Sequence, residues 1–278
     1  MIRIQPPRRL AVAGAIALAM ATAGAACAGA GSEAAPAGRF TVEESAGFSK
    51  QIERDLAARG ARLALVFRAG QPRENLPDGV RYTHGAIWVH SELETADGRR
   101  IHGYAVHNLY HREDDRRRSE LVQDWPLNFT LGDVEGEVGV IIPSPEMQAR
   151  LARLLAGGGD DRLHQPDYSL ISNPFDPRFQ NCTEYLLDLI AAAAWETTDR
   201  AQIKANLRAH FQPAEIDAGL FGRLFGPLAD ERIRLEDHRG AIRTTTYASL
   251  ASFMERYGLL TETYEIRAEF LGRTGETG

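Results

Sequence analysis

The chain has 278 residues, with 32 lysines and arginines against 38 aspartates and glutamates, and a formal net charge of −6 at pH 7. This acidic balance argues against a nucleic-acid binder, because such proteins carry a basic surface. Apolar residues make up 44% of the chain, which is ordinary for a globular protein. The length fits one domain, or one domain with an appendage.

The N-terminal 28 residues have the three parts of an export signal. Three arginines among the first nine residues precede an apolar run from Leu10 to Ala25, and Ala26-Cys27-Ala28 offers a cleavage site. The run is shorter than the roughly 20 residues of a membrane anchor. We expect residues 1–28 to be removed, which leaves a soluble chain of charge −9 without a membrane span, periplasmic or secreted.

The two cysteines have different expected fates. Cys27 raises the alternative of a lipid anchor, but Gly24 stands where a lipoprotein signal prefers leucine, and we therefore favour the soluble form. If Cys27 leaves with the signal, Cys182 is alone in the mature chain and forms no internal disulfide. A lone thiol in an oxidising compartment is either buried and inert or exposed and used.

The remaining pattern predicts a flexible tether over residues 29–40 and a single α+β domain over residues 41–272, with a central antiparallel sheet packed by helices. Helices are predicted over residues 43–59, 145–155, 181–195, 199–211 and 247–257. Strands are predicted over residues 62–67, 84–91, 101–110, 138–142, 232–235 and 264–270. No internal repeat and no linker divides the core.

A strong hairpin dipeptide, Asp97-Gly98, lies between the second and third predicted strands. If these two residues alone form the turn, Trp88 faces His107 across the pair. That register places His84 and His107 on the same face of the sheet.

Cys182 falls in the first turn of the helix that begins near residue 181. Asn181 is a good N-cap, and Glu184 can complete a capping box. Unpaired N–H groups and the helix dipole favour a thiolate and can stabilise an oxyanion. The alternative is a buried, inert thiol, because Cys182 belongs to an apolar stripe at helical spacing. The other members of that stripe are Leu186, Leu189, Ile190 and Ala193.

A thiolate nucleophile needs a base, usually a histidine, and a third group that orients its ring. His84, at the start of a strand, is the candidate base. His107 on the next strand is the candidate third group, and Asn108 takes its place if the register shifts. The spacing of His102, His107 and His111 suits neither a helix face nor a zinc knuckle, so neither a metal nor a cofactor is expected.

Two short motifs stand about a hundred residues apart: His-Gly-Ala-Ile over residues 84–87 and Asn-Cys-Thr-Glu-Tyr-Leu over residues 181–186. They resemble the circularly permuted NlpC/P60-like proteins, a papain-related group of peptidases, amidases and lipid acyltransferases. The resemblance implies Cys182 as nucleophile and His84 as base, with a polar residue of the next strand as third member. It also implies a permuted NlpC/P60-like core, to which a helical extension is added from about residue 199.

Further motifs make residues 40–270 similar to an exported bacterial family known as a domain of unknown function, number 2145. They are Tyr82–Ala86, Asn108–Tyr110, Val140–Ser144 and Tyr168–Phe175. We expect a cysteine-dependent hydrolase or acyltransferase that acts on an amide or ester bond in the cell envelope. The alternative is a non-catalytic envelope module that keeps the fold for binding or as a scaffold.

Overall fold

The computed structural model describes residues 39–95, 97–216 and 231–273. The strands are β1 (Leu63–Arg68), β2 (His84–Glu94), β3 (Arg100–His111), β4 (Ser119–Asp124), β5 (Glu137–Pro143), β6 (Ala214–Ile216), β7 (Ile242–Thr244) and β8 (Leu260–Arg267). The α-helices are α1 (Val42–Ala58), α2 (Pro126–Leu131), α3 (Pro145–Ala156), α4 (Gly159–Leu163), α5 (Cys182–Trp195), α6 (Arg200–His210), α7 (Tyr247–Arg256) and α8 (Phe270–Arg273). A short 3-10 helix covers Arg73–Asn75.

Six strands form one sheet in the order β4-β3-β2-β1-β5-β8, and every neighbouring pair is antiparallel. Strands β6 and β7 pair separately as a small two-stranded sheet. The fold is therefore a mixed α+β domain with an antiparallel sheet, as the sequence predicts. The segment after residue 199 contributes α6 and α7, but it also returns to the main sheet as its edge strand β8.

Helices cover both faces of the main sheet, because its strands alternate apolar residues on the two sides. On one face, Leu65 and Ile87 pack with α5, α3 and α7. On the other face, Val66 and Trp88 pack with Phe48 of α1 and with α2. The central strand β1 is buried along its whole length, which fits a layer enclosed on both sides.

Helix α5 is buried on all sides from Cys182 to Ala193. A helix with apolar residues around its whole circumference must lie inside the protein. Its two acidic residues, Glu184 and Asp188, are compensated by Lys204 of α6, whose Nζ lies 2.6 Å and 2.7 Å from their carboxylate oxygens. The capping-box prediction for Glu184 is thus wrong, because its carboxylate pairs with Lys204 instead of reaching back to the helix start.

The predicted hairpin register is wrong by one residue. Ile87 and not Trp88 lies opposite His107, since the strands end at Glu94 and Arg100 and leave a five-residue connection in place of a two-residue turn. Because directly opposite residues share a face, this shift moves His107 to the side of the sheet that α5 covers.

Two other predictions need correction. Residues 232–235 are not a strand: residues 231–241 form turns and irregular backbone that hydrogen-bond to the loop before α5. Strand β4 and helix α2 are missing from the predicted elements, because Ser119–Asp124 is polar and Pro126–Leu131 is short. The predicted signal peptide (1–28) and residues 29–38 of the tether lie outside the described residues.

Within the described part of the chain, no helix is both long and apolar enough to span a membrane.

Gly85 controls how closely α5 approaches β2. A Cβ at this position would lie 2.7 Å from ring atoms of Phe67 and 2.9 Å from Leu186. We predict that Gly85→Ala lowers the free energy of unfolding by about 1–3 kcal/mol, the usual cost of overpacking. Gly47→Ala is the control, because Gly47 lies on the exposed side of α1 and nothing lies within 4 Å of its new Cβ. Alanine should stabilise that helix by about 0.5–1 kcal/mol. Urea unfolding measures both, and equal effects would contradict the tight α5 contact.

Candidate active site

Cys182 is the first residue of α5, and the N-cap before it forms as predicted. The Asn181 side chain accepts a hydrogen bond from the Glu184 N–H at 2.9 Å. The Cys182 thiol points toward the Thr83 carbonyl oxygen, 3.8 Å away, at the start of β2. The residue is only 5% exposed, yet it lines a cavity of about 610 Å³. The thiol is therefore buried in the cavity wall.

Two opposing effects act on the ionisation of this thiol. Burial raises the pKa of Cys182 above its ordinary value. The backbone N–H groups of Gly85, Cys182 and Thr183 favour the thiolate and lower the pKa, but by less than burial raises it. At rest the group is a neutral thiol, and the N–H groups beside it are placed to stabilise negative charge once it forms.

His84 lies at the start of β2 on the opposite face of the sheet from α5. Its ring stacks on Tyr110 with centroids 4.8 Å apart and approaches Phe129 at 5.7 Å. Its Nε2 atom lies 2.9 Å from Oδ1 of Asn108 on β3. Burial, followed by the positive charge of Arg68, lowers the pKa of His84 to about 3, so the imidazole is neutral at physiological pH.

The hydrogen bonds of Asn108 determine which imidazole nitrogen carries the proton. Its Nδ2 donates to the Val106 carbonyl at 3.3 Å and to Oδ2 of Asp124 at 3.4 Å, which leaves Oδ1 as acceptor toward His84. Nε2 of His84 is therefore the donor, and Nδ1 keeps a free lone pair. Within the described residues Nδ1 has no hydrogen-bond partner.

The two candidates for the third group lie in different places. Asn108 contacts the His84 ring directly. His107 lies on the α5 side of the sheet, opposite Ile87. Burial lowers the pKa of His107, and the negative charge of Asp160 on α4 offsets only part of this effect. The structure thus brings Asn108, and not His107, to the candidate base.

Cys182 and His84 reach the same cavity from opposite sides of the sheet end. No hydrogen bond joins the thiol to the imidazole in the described structure, where the thiol instead faces Thr83. Both side chains nevertheless line a single cavity of about 610 Å³. A cavity of this size is large enough for a small-molecule ligand or the end of a longer one.

The cavity wall combines polar and apolar side chains. Its polar members include Arg68, Tyr110 and His84, which lie on the same side of neighbouring strands. Its apolar members include Leu76, Pro77, Val80, Leu109, Leu170, Ile171 and Ile216. A ligand that fills this space therefore meets both polar and apolar groups.

Sequence reasoning missed Arg68 and Tyr110. One signal was present: Arg68 ends the otherwise apolar run Leu63–Phe67, and a charge at the end of a buried strand is unusual. Nothing in the sequence pairs Arg68 with His84, because that requires the β1–β2 register, in which the two residues are direct partners.

The other histidines considered for a metal site do not converge. His102 stacks on His90 at 6.1 Å, far along the hairpin from His111, which packs near Tyr168. Among the described residues, no three histidine, cysteine or acidic side chains are grouped closely enough to hold a metal ion.

Comparison with known proteins gives one match. Residues 55–254 match a family described as an uncharacterized protein conserved in bacteria, DUF2145. The chain belongs to this family. No curated protein and no solved structure matches the chain. Membership of DUF2145 agrees with the family resemblance of the sequence motifs, but it assigns no activity to the cavity.

The protonation of His84 can be tested directly. We predict that nitrogen NMR of histidine-labelled protein shows His84 as the neutral Nε2–H tautomer throughout the range of about pH 5 to pH 8. His84→Gln identifies the signal by its loss. Titration of the ring near its ordinary pKa, or the Nδ1–H tautomer, would contradict the buried bond to Asn108.

Proposed function

We propose that this protein is a cysteine-dependent hydrolase or acyltransferase that cleaves or transfers an amide or ester. The observation that supports it best is a helix-terminal thiol and an oriented, neutral imidazole on the walls of one cavity. A nucleophile, a base and a group that holds the base are the parts that covalent acyl transfer requires. Here they would be Cys182, His84 and Asn108.

The proposed reaction has two halves. Nδ1 of His84 takes the thiol proton while the sulfur of Cys182 attacks the carbonyl carbon, and N–H groups at the start of α5 stabilise the oxyanion. The C–N or C–O bond then breaks, the leaving group takes the proton from His84, and a thioester remains. Water, or an acceptor hydroxyl or amine, attacks the thioester while His84 takes its proton. The acyl group departs and the sulfur regains a proton from His84.

The resting geometry sets one requirement on this mechanism. Because the thiol faces the Thr83 carbonyl, the Cys182 side chain must turn toward the imidazole when substrate enters. Catalytic hydrogen bonds are often long in the absence of substrate and tighten in the complex. The neutral thiol then gives its proton to the neutral imidazole only when a carbonyl is present to be attacked.

The location of the substrate follows from the proposed export signal. A chain that loses residues 1–28 at the membrane meets amides and esters of the cell envelope, in the periplasm or outside the cell. Cys182 would then be a lone thiol in an oxidising compartment, and its burial would protect it from oxidation.

One observation favours a second candidate, a non-catalytic binding module. The Cys182 thiol is almost fully buried, burial raises its pKa, and it has no hydrogen bond to His84. These are also the properties of a structural cysteine. Under this alternative the cavity binds a ligand without chemistry, and His84 stabilises the fold.

The reaction of Cys182 with iodoacetamide separates the two candidates. If His84 serves as the base, we predict that His84→Gln slows alkylation at neutral pH by on the order of 10²-fold, the usual size of general-base catalysis. His107→Gln is the matched control, since it removes the same side chain from the other face of the same sheet. Its rate should stay close to that of the wild type.

Each variant is first compared with the wild type by thermal unfolding, so that a loss of structure is not taken for a loss of catalysis. Equal rates in the wild type and a folded His84→Gln variant would refute the enzyme proposal and leave the binding module. Equal slowing by both substitutions would show that His84 has no special role.

A further inference from the structure

A buried positive charge lies in the wall of the cavity. Arg68 is only 5% exposed, and no carboxylate of the described residues forms an ion pair with it. Its guanidinium donates to the Gly132 carbonyl and lies 5.4 Å from the centre of the Phe129 ring. Its Nε has no hydrogen-bond partner at all. The guanidinium is thus held in place without a direct ion pair to a carboxylate of the described residues.

Two acidic groups lie close enough for Arg68 to act on their pKa, but neither forms an ion pair with it. Burial raises the pKa of both Asp124 and Asp133, and it outweighs the opposite effect of Arg68 on each. Asp133, whose pKa rises to about 6, accepts hydrogen bonds from backbone N–H groups, chiefly that of Gly136 at 2.6 Å. Asp124 contacts the Tyr110 hydroxyl and the Asn108 amide.

A buried cation without a directly paired anion is unfavourable, since the protein replaces only part of the hydration that the cation gave up. An anion that enters the cavity would remove this penalty. Guanidinium is the side-chain group best suited to a carboxylate, because its planar fork can donate two parallel hydrogen bonds.

Arg68 also has a defined position relative to the proposed chemistry. It lies directly across from His84 in the β1–β2 pair, and its charge acts on both His84 and the Cys182 thiol. Arg116 and Arg232 also line the cavity, and Glu113 is the acid among its lining residues in the described part of the chain.

We propose that Arg68 binds a carboxylate of the substrate beside the bond that Cys182 attacks. The substrate class is then an amide or ester that has a free carboxylate close to the scissile carbonyl and an apolar remainder, which the wall from Leu76 to Val80 and Ile171 receives. The identity of the scissile bond rests on the proposed function, whereas the carboxylate site does not depend on catalysis.

Matched alkylating reagents test this site. Iodoacetate and iodoacetamide differ only in that the first carries a carboxylate and the second an amide. The second pair, 3-bromopropionate and 3-bromopropionamide, places the same two groups one carbon farther from the carbon that the thiol attacks. The readout is the ratio of Cys182 alkylation rates, anionic over neutral, relative to the same ratio in the urea-unfolded chain. The ratio cancels changes in thiol reactivity that affect both reagents, including those caused by His84.

For at least one pair, we expect the wild-type ratio to exceed that of the unfolded chain about tenfold or more, the value of a charge-assisted hydrogen bond. On an ordinary thiolate the anionic reagent is the slower one, because like charges repel. Arg68→Gln should return the ratio to about that of the unfolded chain. Arg100→Gln, which removes an equal charge at an exposed pair with Glu92, should not.

Three results would overturn the inference. The first is a wild-type ratio no greater than that of the unfolded chain with both pairs, which needs no variant and holds even if Arg68→Gln fails to fold. The second is a high ratio that survives in Arg68→Gln, and the third is an equal fall in Arg100→Gln. A high ratio, together with an iodoacetamide alkylation rate that His84→Gln leaves unchanged, would support the carboxylate site and refute the enzyme proposal. The two proposals therefore fail separately.

Discussion

The close packing of α5 against β2 is the contact on which the rest of the structure depends. Gly85 permits it, since any larger residue would meet Phe67 and Leu186. The contact helps to bury α5, which is enclosed from Cys182 to Ala193, and sets the distance between the N-terminus of this helix and the end of the sheet. Cys182 consequently lies beside the Thr83 carbonyl, at the wall of the cavity, and not farther out in solvent.

The polar groups of the site are gathered by the ends of three neighbouring strands. Arg68 ends β1, His84 begins β2, and Asn108 and Tyr110 lie near the end of β3, all on one face. Each is costly to bury alone, and each is held by specific partners: His84 by Asn108, and Asn108 by Asp124. Arg68 is the exception, because no carboxylate of the described residues forms an ion pair with it and its Nε has no hydrogen-bond partner. This unmet hydrogen-bonding capacity is the basis of the carboxylate site proposed above.

Much of the fold follows from local sequence signals. The boundaries of α5 could be predicted because Asn181 is a strong N-cap and most of the following residues are apolar helix formers. The strands of the long hairpin could also be predicted from local sequence signals. Their register could not, because five residues connect the strands where a two-residue turn was predicted, and this shifts the pairing by one residue. A shift of one residue exchanges the faces on which His107 and Asn108 lie.

The candidate site was only partly predictable. Cys182 and His84 stand out as residue types in suggestive positions, but the role of Asn108 depends on the register. The interest of Arg68 depends on tertiary structure altogether, because it lies in its burial without a direct ion pair and in the unpartnered Nε. The pairing of Glu184 with Lys204 was hidden for a related reason, since it joins two helices and overrides a plausible local cap.

The claim that Cys182 is a nucleophile is tested most directly by trapping the acyl-enzyme. The wild type, Cys182→Ala and His84→Gln are mixed with p-nitrophenyl acetate, quenched in acid at short times, and examined by intact-mass and peptide mass spectrometry. We expect one acetyl group on Cys182 in the wild type that forms and then decays, none at this site in Cys182→Ala, and much slower formation in His84→Gln. Absence of the Cys182 adduct in the wild type, or equal formation in His84→Gln, would contradict the claim.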